Sequence, residues 1–97
     1  MTTFERPLGI LCALPQEMQL LATSLAESRP DERAGTTFLS GALDGCAVTI
    51  AEGGIGKVGS ALAATLLLER FNCRTLIFTG VAGGLDPALG IGEIVIA

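Results

Sequence analysis

The feature that most constrains the fold is an unbroken apolar segment, residues 8–14, which stops at Pro15 and is followed by Glu17. Because polar and apolar residues do not alternate in it, it predicts a central strand covered on both faces. Pro15 suits the first turn of a helix, which we expect over residues 16–25. Ligands of open α/β sheets bind beyond the carboxyl ends of the strands, so Glu17 is the first candidate for chemistry. The helix dipole also favours a carboxylate in a first turn, which is the purely structural explanation of Glu17.

The composition indicates one small α/β domain. Of the 97 residues, 49% are hydrophobic but only 4% are aromatic, which is typical of an aliphatic core. The 13 glycines cluster at the ends of apolar runs, as turns between strands and helices require. We therefore expect alternating strands and helices.

The charge pattern argues against a nucleic-acid partner. The formal net charge is −4, and the sequence contains neither a Lys/Arg cluster nor an aromatic stacking platform. The longest apolar stretches are well short of the ~20 residues of a membrane helix, and no secretory signal pattern is present. We therefore expect no membrane contact and a cytoplasmic location.

The three cysteines, Cys12, Cys46 and Cys73, are widely separated within apolar sequence, and the chain has no histidine. An odd number of cysteines without histidine favours neither a disulfide framework nor a metal site. We expect buried, reduced thiols that act as small hydrophobic groups, and neither a metal nor a cofactor.

A hairpin is predicted in the middle of the chain. Two short β-prone runs, Thr36–Leu43 and residues 46–51, are joined by Asp44 and Gly45, a dipeptide typical of a type I′ turn. The preceding residues 27–35 are charged and rich in turn formers, which predicts a solvent loop.

The second half of the sequence predicts one helix and two strands. Residues 58–71 have high helix propensity and are apolar on nearly every face, so we expect cover from the sheet on one side and from a partner subunit or further sequence on the other. Residues 75–78 form a second continuous apolar strand that ends in a glycine-rich turn. Residues 91–97 predict the start of another strand.

Residues 53–57, GGIGK, resemble a phosphate loop but lack its pattern. Ala51 stands where the first glycine is needed, and Val58 follows Lys57 where Ser or Thr is needed. The glycine spacing also matches a dinucleotide fingerprint, but the preceding strand belongs to a hairpin and not to a βαβ unit. We interpret this turn as structural.

The second glycine-rich turn, residues 80–84, follows a predicted central strand. Small residues there allow a flat ligand to approach the backbone, although a simple tight turn would have the same composition. We expect this turn and Glu17 to lie at neighbouring strand ends on one edge of the sheet.

Four segments in order, residues 8–17, 54–58, 63–69 and 79–85, resemble the N-terminal part of bacterial 5′-methylthioadenosine/S-adenosylhomocysteine nucleosidases, members of the nucleoside phosphorylase superfamily. The resemblance implies a three-layer α/β/α fold with a central mixed sheet and a homodimer. Residues 1–97 would be the N-terminal segment of a single nucleosidase domain, truncated after its N-terminal half.

The resemblance implies hydrolysis of the N-glycosidic bond of an adenine nucleoside, with release of adenine. Glu17 matches the general base that activates water. The positions that match substrate contacts are Leu14, Ile55, Val81, Ala82 and Gly83. Many relatives carry Ser where this chain has Val81, so the expected contact there is through the backbone.

Two further expectations follow from the resemblance. An ionised Glu17 would repel phosphate, which favours a hydrolase over a phosphorylase. The family's acid that protonates the adenine lies in later sequence, so we expect the 97 residues alone to be inactive. The alternatives are a purine nucleoside phosphorylase or futalosine-type hydrolase, and a non-catalytic nucleoside-binding or interaction fragment.

Overall fold

The computed structural model describes residues 6–33, 35–53, 56–80 and 85–96. In chain order, the elements are β1 (Leu8–Cys12), α1 (Pro15–Ser24), β2 (Ala26–Arg33), β3 (Thr36–Leu43), β4 (Cys46–Glu52), α2 (Lys57–Glu69) and β5 (Thr75–Thr79). The strands form one sheet in the order β2-β3-β4-β1-β5. The sheet is mixed, and the predicted α/β class is confirmed.

Strand β1 lies inside the sheet, parallel to both β4 and β5. Its last residue, Cys12, is in register with Glu52 of β4 and with Thr79 of β5. Residues 9–12 of this strand are buried, which explains why the segment shows no polar alternation. The predicted central strand and the helix after it are confirmed.

The predicted hairpin is also confirmed. Strands β3 and β4 pair antiparallel, with Leu43 opposite Cys46. Asp44 has a φ of 51° and Gly45 a φ of 81°, so both turn residues are in the left-handed region that a type I′ turn requires. Asp and Gly are among the few residues that adopt this conformation at low cost.

The prediction of a solvent loop over residues 27–35 was wrong. Ala26–Arg33 is a strand, which pairs antiparallel with β3 through partners such as Asp31 and Phe38. It is the edge strand of the sheet, where charged side chains are exposed to water and a proline such as Pro30 is tolerated. The sequence resembled a loop because an exposed edge strand does not need an apolar face.

The two helices cover opposite faces of the sheet, which gives three layers. Helix α2 covers a core cluster made of Leu11, Phe38, Ala51, Ala63, Leu67 and Cys73. Helix α1 covers the other face, where Ile10, Cys12, Val48 and Ile50 form a second cluster. The ring of Phe71, just after α2, stacks on Phe38 with ring centroids 4.7 Å apart.

The cysteines are free thiols, as predicted. Cys12 and Cys73 are fully buried in the two core clusters, whereas Cys46 is only partly buried. The expectation of buried reduced thiols is thus confirmed for two of the three.

Helix α2 packs on the sheet with one side, as predicted, and leaves apolar residues on the other. Ala63 and Leu67 are buried. Val58 is 85% exposed, and Leu62 and Leu68 are nearly half exposed. Among the described residues, neither helix is long and apolar enough to cross a membrane.

The prediction of a strand over residues 91–97 was wrong for residues 91–96, the part of this range that the structure describes. Residues 85–96 form turns held by local hydrogen bonds, including one from the amide of Glu93 to the carbonyl oxygen of Gly90. Ile94 and Ile96 are about nine-tenths exposed. These residues have high strand propensity, but a strand is stable only when it pairs with a neighbouring strand. None of β1–β5 pairs with residues 91–96.

Candidate active site at the carboxyl edge of the sheet

Strands β1, β4 and β5 end side by side at one edge. The amide of Ala13 donates to the carbonyl oxygen of Thr79 at 3.2 Å, and the amide of Gly53 donates to that of Cys12 at 2.8 Å. These bonds extend the pairing beyond the strand ends. The strand before the glycine-rich turn is therefore next to the strand before Glu17, as predicted.

Glu17 lies in the first turn of α1, and its carboxylate caps the helix. The amide of Leu14 donates to Oε1 of Glu17 at 2.7 Å. Leu14 is the N-cap residue, with extended backbone, and its side chain has no acceptor to offer the helix amides. The carboxylate is thus fixed from the amino end of α1, where the helix dipole also favours it.

This geometry holds Oε1, one of the two carboxylate oxygens of Glu17. Among the described residues, none donates a hydrogen bond to the second oxygen, Oε2. The group is partly buried, so it is neither sealed in the core nor fully in bulk water. A carboxylate fixed in this way can accept a proton from a bound water molecule.

The buried thiol of Cys12 lies close to two carboxylates. Burial raises its pKa to about 11, and the charges of Glu17 and Glu52 contribute in the same direction. The thiol therefore stays protonated at neutral pH and is a poor nucleophile. The two carboxylates also give this edge a negative field that disfavours anions.

Glu52 is a functional candidate that the sequence reasoning missed. It is the last residue of β4, and together with Met18, Gly35, Thr36 and Thr37 it lines a cavity of about 190 Å³. A carboxylate at the end of a buried strand was the signal that singled out Glu17, and Glu52 carries the same signal.

The structure describes only part of the predicted site. Glu17 and Leu14 lie together at the edge and are joined by a hydrogen bond. Ile55, Val81, Ala82 and Gly83 lie outside the described residues. The strand ends that flank them, Gly53 after β4 and Gly80 after β5, belong to the same edge.

Two glycines near the start of α2 have a packing role. A Cβ on Gly59 would come within 2.6 Å of the carbonyl oxygen of Gly53, and a Cβ on Gly53 within 3.2 Å of the Cα of Ser60. The backbone of α2 can therefore approach the end of β4 only because both residues are glycine. This supports the structural interpretation of the glycine-rich turn at Gly53.

Comparison with known proteins identifies the family. The family model of the phosphorylase superfamily matches residues 7–97. Over 89 residues, the chain is 53% identical to the 5′-methylthioadenosine/S-adenosylhomocysteine nucleosidases of Mycobacterium bovis and Mycobacterium tuberculosis, covering 92% of this chain and 35% of each relative. The chain thus spans about a third of the length of these relatives.

Solved structures agree with this result. The nucleosidase of Colwellia psychrerythraea in complex with adenine superposes with a TM-score of 0.88 at 39% identity, covering 96% of this chain and 38% of that one. The Streptococcus pneumoniae nucleosidase in complex with 8-aminoadenine gives a TM-score of 0.86 at 32% identity, with coverages of 90% and 39%. A futalosine hydrolase mutant of Helicobacter pylori gives 0.83 at 28% identity, with coverages of 92% and 40%. Since the family model matches nearly the whole of its length, this chain belongs to the phosphorylase superfamily.

Proposed function

We propose that the protein carrying this chain hydrolyses the N-glycosidic bond of 5′-methylthioadenosine and of S-adenosylhomocysteine and releases adenine. The observation that carries the proposal is the Glu17 carboxylate, held by the Leu14 amide at the carboxyl edge of β1. The similarity to nucleosidases, one of them in complex with adenine, supports the reaction and its substrate class.

Glu17 acts in this proposal as the general base. It takes a proton from water, the water oxygen bonds to the anomeric carbon of the ribose, and the bond from that carbon to adenine breaks. The electron pair of the broken bond leaves with the adenine, which must be protonated as it departs. A well-placed base contributes about two to four orders of magnitude in rate.

The residues around Glu17 have positioning and binding roles in the proposal. The Leu14 amide orients the carboxylate through Oε1. Leu14 and Ile55 contact the ribose side of the substrate. Residues 81–83 (Val81, Ala82 and Gly83) lie beneath the base and the ribose, with backbone contacts at Val81. The leaving-group acid belongs to later sequence, so we expect the 97 residues alone to release no adenine.

A hydrolase fits this edge better than a phosphorylase does. Glu17 and Glu52 both act on the buried Cys12 thiol, so two negative charges lie close to the place where a phosphate would have to bind. Phosphate is an anion at neutral pH, and like charges in a poorly screened cleft repel each other by several kcal/mol. Water is uncharged and escapes this penalty.

We further propose that residues 1–97 are the N-terminal segment of one nucleosidase domain, which works as a cytoplasmic homodimer. The apolar outer side of α2, including Val58 and Leu62, would lie against the second copy. The free thiols favour a reducing compartment. Sedimentation of the full-length protein should give twice the mass of one chain, and a monomer at micromolar concentration would contradict this part.

The reaction is tested with the full-length protein in phosphate-free buffer. Methylthioadenosine, S-adenosylhomocysteine and futalosine are supplied separately, and the released base and sugar are separated by chromatography. From methylthioadenosine we expect adenine and free methylthioribose, and added phosphate should not increase the rate. A sugar phosphate as product would indicate a phosphorylase. Turnover of futalosine but of neither adenine nucleoside would indicate a hydrolase like the one of the H. pylori structure. Binding without turnover would leave the non-catalytic fragment interpretation.

A further inference from the structure

The hydroxyl group of Thr79, the last residue of β5, lies at the same edge of the sheet as Glu17. We propose that Thr79, together with the Glu17 carboxylate, holds the water molecule that attacks the anomeric carbon. The inference rests on the proposed function, because it names a second group for the same reaction step. Thr79 is not among the substrate-contact positions that the family resemblance implied.

The register of the sheet places the side chain of Thr79 beside that of Cys12. The two residues are partners in the parallel pair of β1 and β5, and the side chains of paired residues point to the same face of a sheet. Cys12 belongs to the core cluster that α1 covers. Leu76, three residues before Thr79, packs on the opposite face, against the cluster that α2 covers. The Thr79 hydroxyl therefore lies on the α1 face.

Two hydrogen bonds fix the position of Thr79 relative to the Glu17 carboxylate. The carbonyl oxygen of Thr79 accepts from the amide of Ala13 at 3.2 Å. The next amide along the chain, that of Leu14, donates to Oε1 of Glu17 at 2.7 Å. The charge of Glu17 also acts on the thiol of Cys12, the neighbour of Thr79 in the sheet. The carboxylate and the hydroxyl thus adjoin the end of β1 on the same face.

A water molecule fits between these two groups. Both residues are described in the structure, and no direct hydrogen bond joins their side chains. Polar groups that share a site without touching are readily bridged by water, and the side chain of Thr79 is only partly buried. One water molecule can donate one hydrogen to the Glu17 carboxylate and the other to the Thr79 oxygen. A lone pair of the water oxygen is then left for the anomeric carbon.

The proposed position of the substrate brings the anomeric carbon to this water. In the proposed function the ribose lies at Glu17, after β1, and the adenine lies over residues 81–83, after β5. The anomeric carbon joins the two, so it lies between the ends of neighbouring strands about 4.8 Å apart. As the water oxygen bonds to this carbon and the bond to adenine breaks, one proton passes to Glu17. The other stays on the new hydroxyl group, which is hydrogen-bonded to Thr79.

The test compares adenine release from methylthioadenosine by the full-length protein and its Thr79→Val variant. Val keeps the branched shape that suits a strand but lacks the hydroxyl. We expect kcat to fall about threefold to tenfold, as for the loss of one hydrogen bond, and KM to change less than about twofold. Thr79→Ser retains a hydroxyl, and its kcat should stay within about twofold of the unmodified value.

A second measurement separates a contact to water from a purely structural effect. In mixtures of water and methanol, methanol competes for the anomeric carbon and gives a methyl glycoside. Methanol has only one O–H group, so it cannot donate to both Glu17 and Thr79. At fixed methanol content, the ratio of methyl glycoside to free sugar should therefore rise about threefold to tenfold in Thr79→Val. Thr75→Val, the matched control at the exposed start of β5, should change neither this ratio nor kcat.

The outcomes distinguish this inference from the proposed function. An unchanged kcat in Thr79→Val, or a lower kcat with an unchanged product ratio, would overturn the role of Thr79 while leaving the nucleosidase reaction in place. If circular dichroism shows that Thr79→Val does not fold, Thr79→Ala also lacks the hydroxyl, and its product ratio decides in the same way. An unmodified protein that releases no adenine from methylthioadenosine would overturn the proposed function itself.

Discussion

At the scale of single residues, Glu17 has one observed contact and one proposed role. Its Oε1 closes the amino end of α1 by accepting from the Leu14 amide, and in the proposed reaction its other oxygen takes the proton of water. Both interpretations of Glu17 drawn from the sequence, the helix-terminal carboxylate and the catalytic base, are therefore compatible. The hydrogen bond that caps the helix would also orient the carboxylate for the proposed reaction.

Sequence reasoning could find Glu17 because it follows a recognisable apolar strand. It missed Glu52, whose relation to the edge depends on β4 pairing with β1, a contact between residues 40 positions apart in sequence. The negative charges near Cys12 also depend on this strand pairing, because Glu17 and Glu52 belong to two different elements and both raise the pKa of its thiol. Such juxtapositions are set by strand order, which no local pattern specifies.

A residue-scale prediction concerns alkaline stability. The ordinary pKa of a cysteine thiol is 9.0, whereas in the folded protein burial, helped by Glu17 and Glu52, raises the pKa of Cys12 to about 11. The folded state keeps a proton that the unfolded state loses, so this contribution is complete below about pH 9 and is lost as the pH rises toward 11. Near pH 10.5 the loss amounts to about 2 kcal/mol.

Urea unfolding of the full-length protein at about pH 8 and about pH 10.5 measures this effect. A Cys12→Ser variant should lose distinctly less stability between the two pH values than the unmodified protein, since its hydroxyl does not ionise in this range. Cys46→Ser, at the partly exposed thiol, should behave like the unmodified protein. Equal losses in all three proteins would rule out a raised pKa at Cys12.

At the scale of elements, the sequence predicted those whose pattern is local and apolar. Strand β1, the hairpin of β3 and β4, α2 and β5 were all recognised within one or two residues of their ends. Strand β2 was missed because an edge strand can be polar on both faces. Residues 91–96 were assigned a strand on propensity alone, although the sheet that contains β5 does not pair with them.

An element-scale prediction tests how α2 is held. Leu67 is fully buried against the cluster that contains Phe38 and Ala51. Replacing it with Ala should lower the free energy of unfolding by about 2–5 kcal/mol, through lost burial and the cavity left behind. Leu20→Ala, on the exposed side of α1, is the matched control and should cost less than about 0.5 kcal/mol. Similar losses for both variants would mean that α2 does not pack on this face.

At the scale of the whole molecule, the order β2-β3-β4-β1-β5 explains why the candidate site lies where it does. Three parallel neighbours, β4, β1 and β5, bring Glu52, Glu17 and Gly80 to one edge from distant parts of the sequence. The antiparallel β3 adds Thr36 and Thr37 at its amino end. Apolar side chains on the outer side of α2 and within residues 85–96 are exposed in the described chain. The relatives are almost three times as long, so they contain further sequence that could cover such side chains.

The most direct test of the central claim is adenine release from methylthioadenosine by the full-length protein and its Glu17→Gln variant. Gln retains an oxygen that can accept from the Leu14 amide, so the variant should fold like the unmodified protein, as circular dichroism can verify. An amide cannot take the proton of water, and kcat should fall by about two to four orders of magnitude. A folded Glu17→Gln protein that releases adenine at the unmodified rate would contradict the assignment of Glu17 as the base.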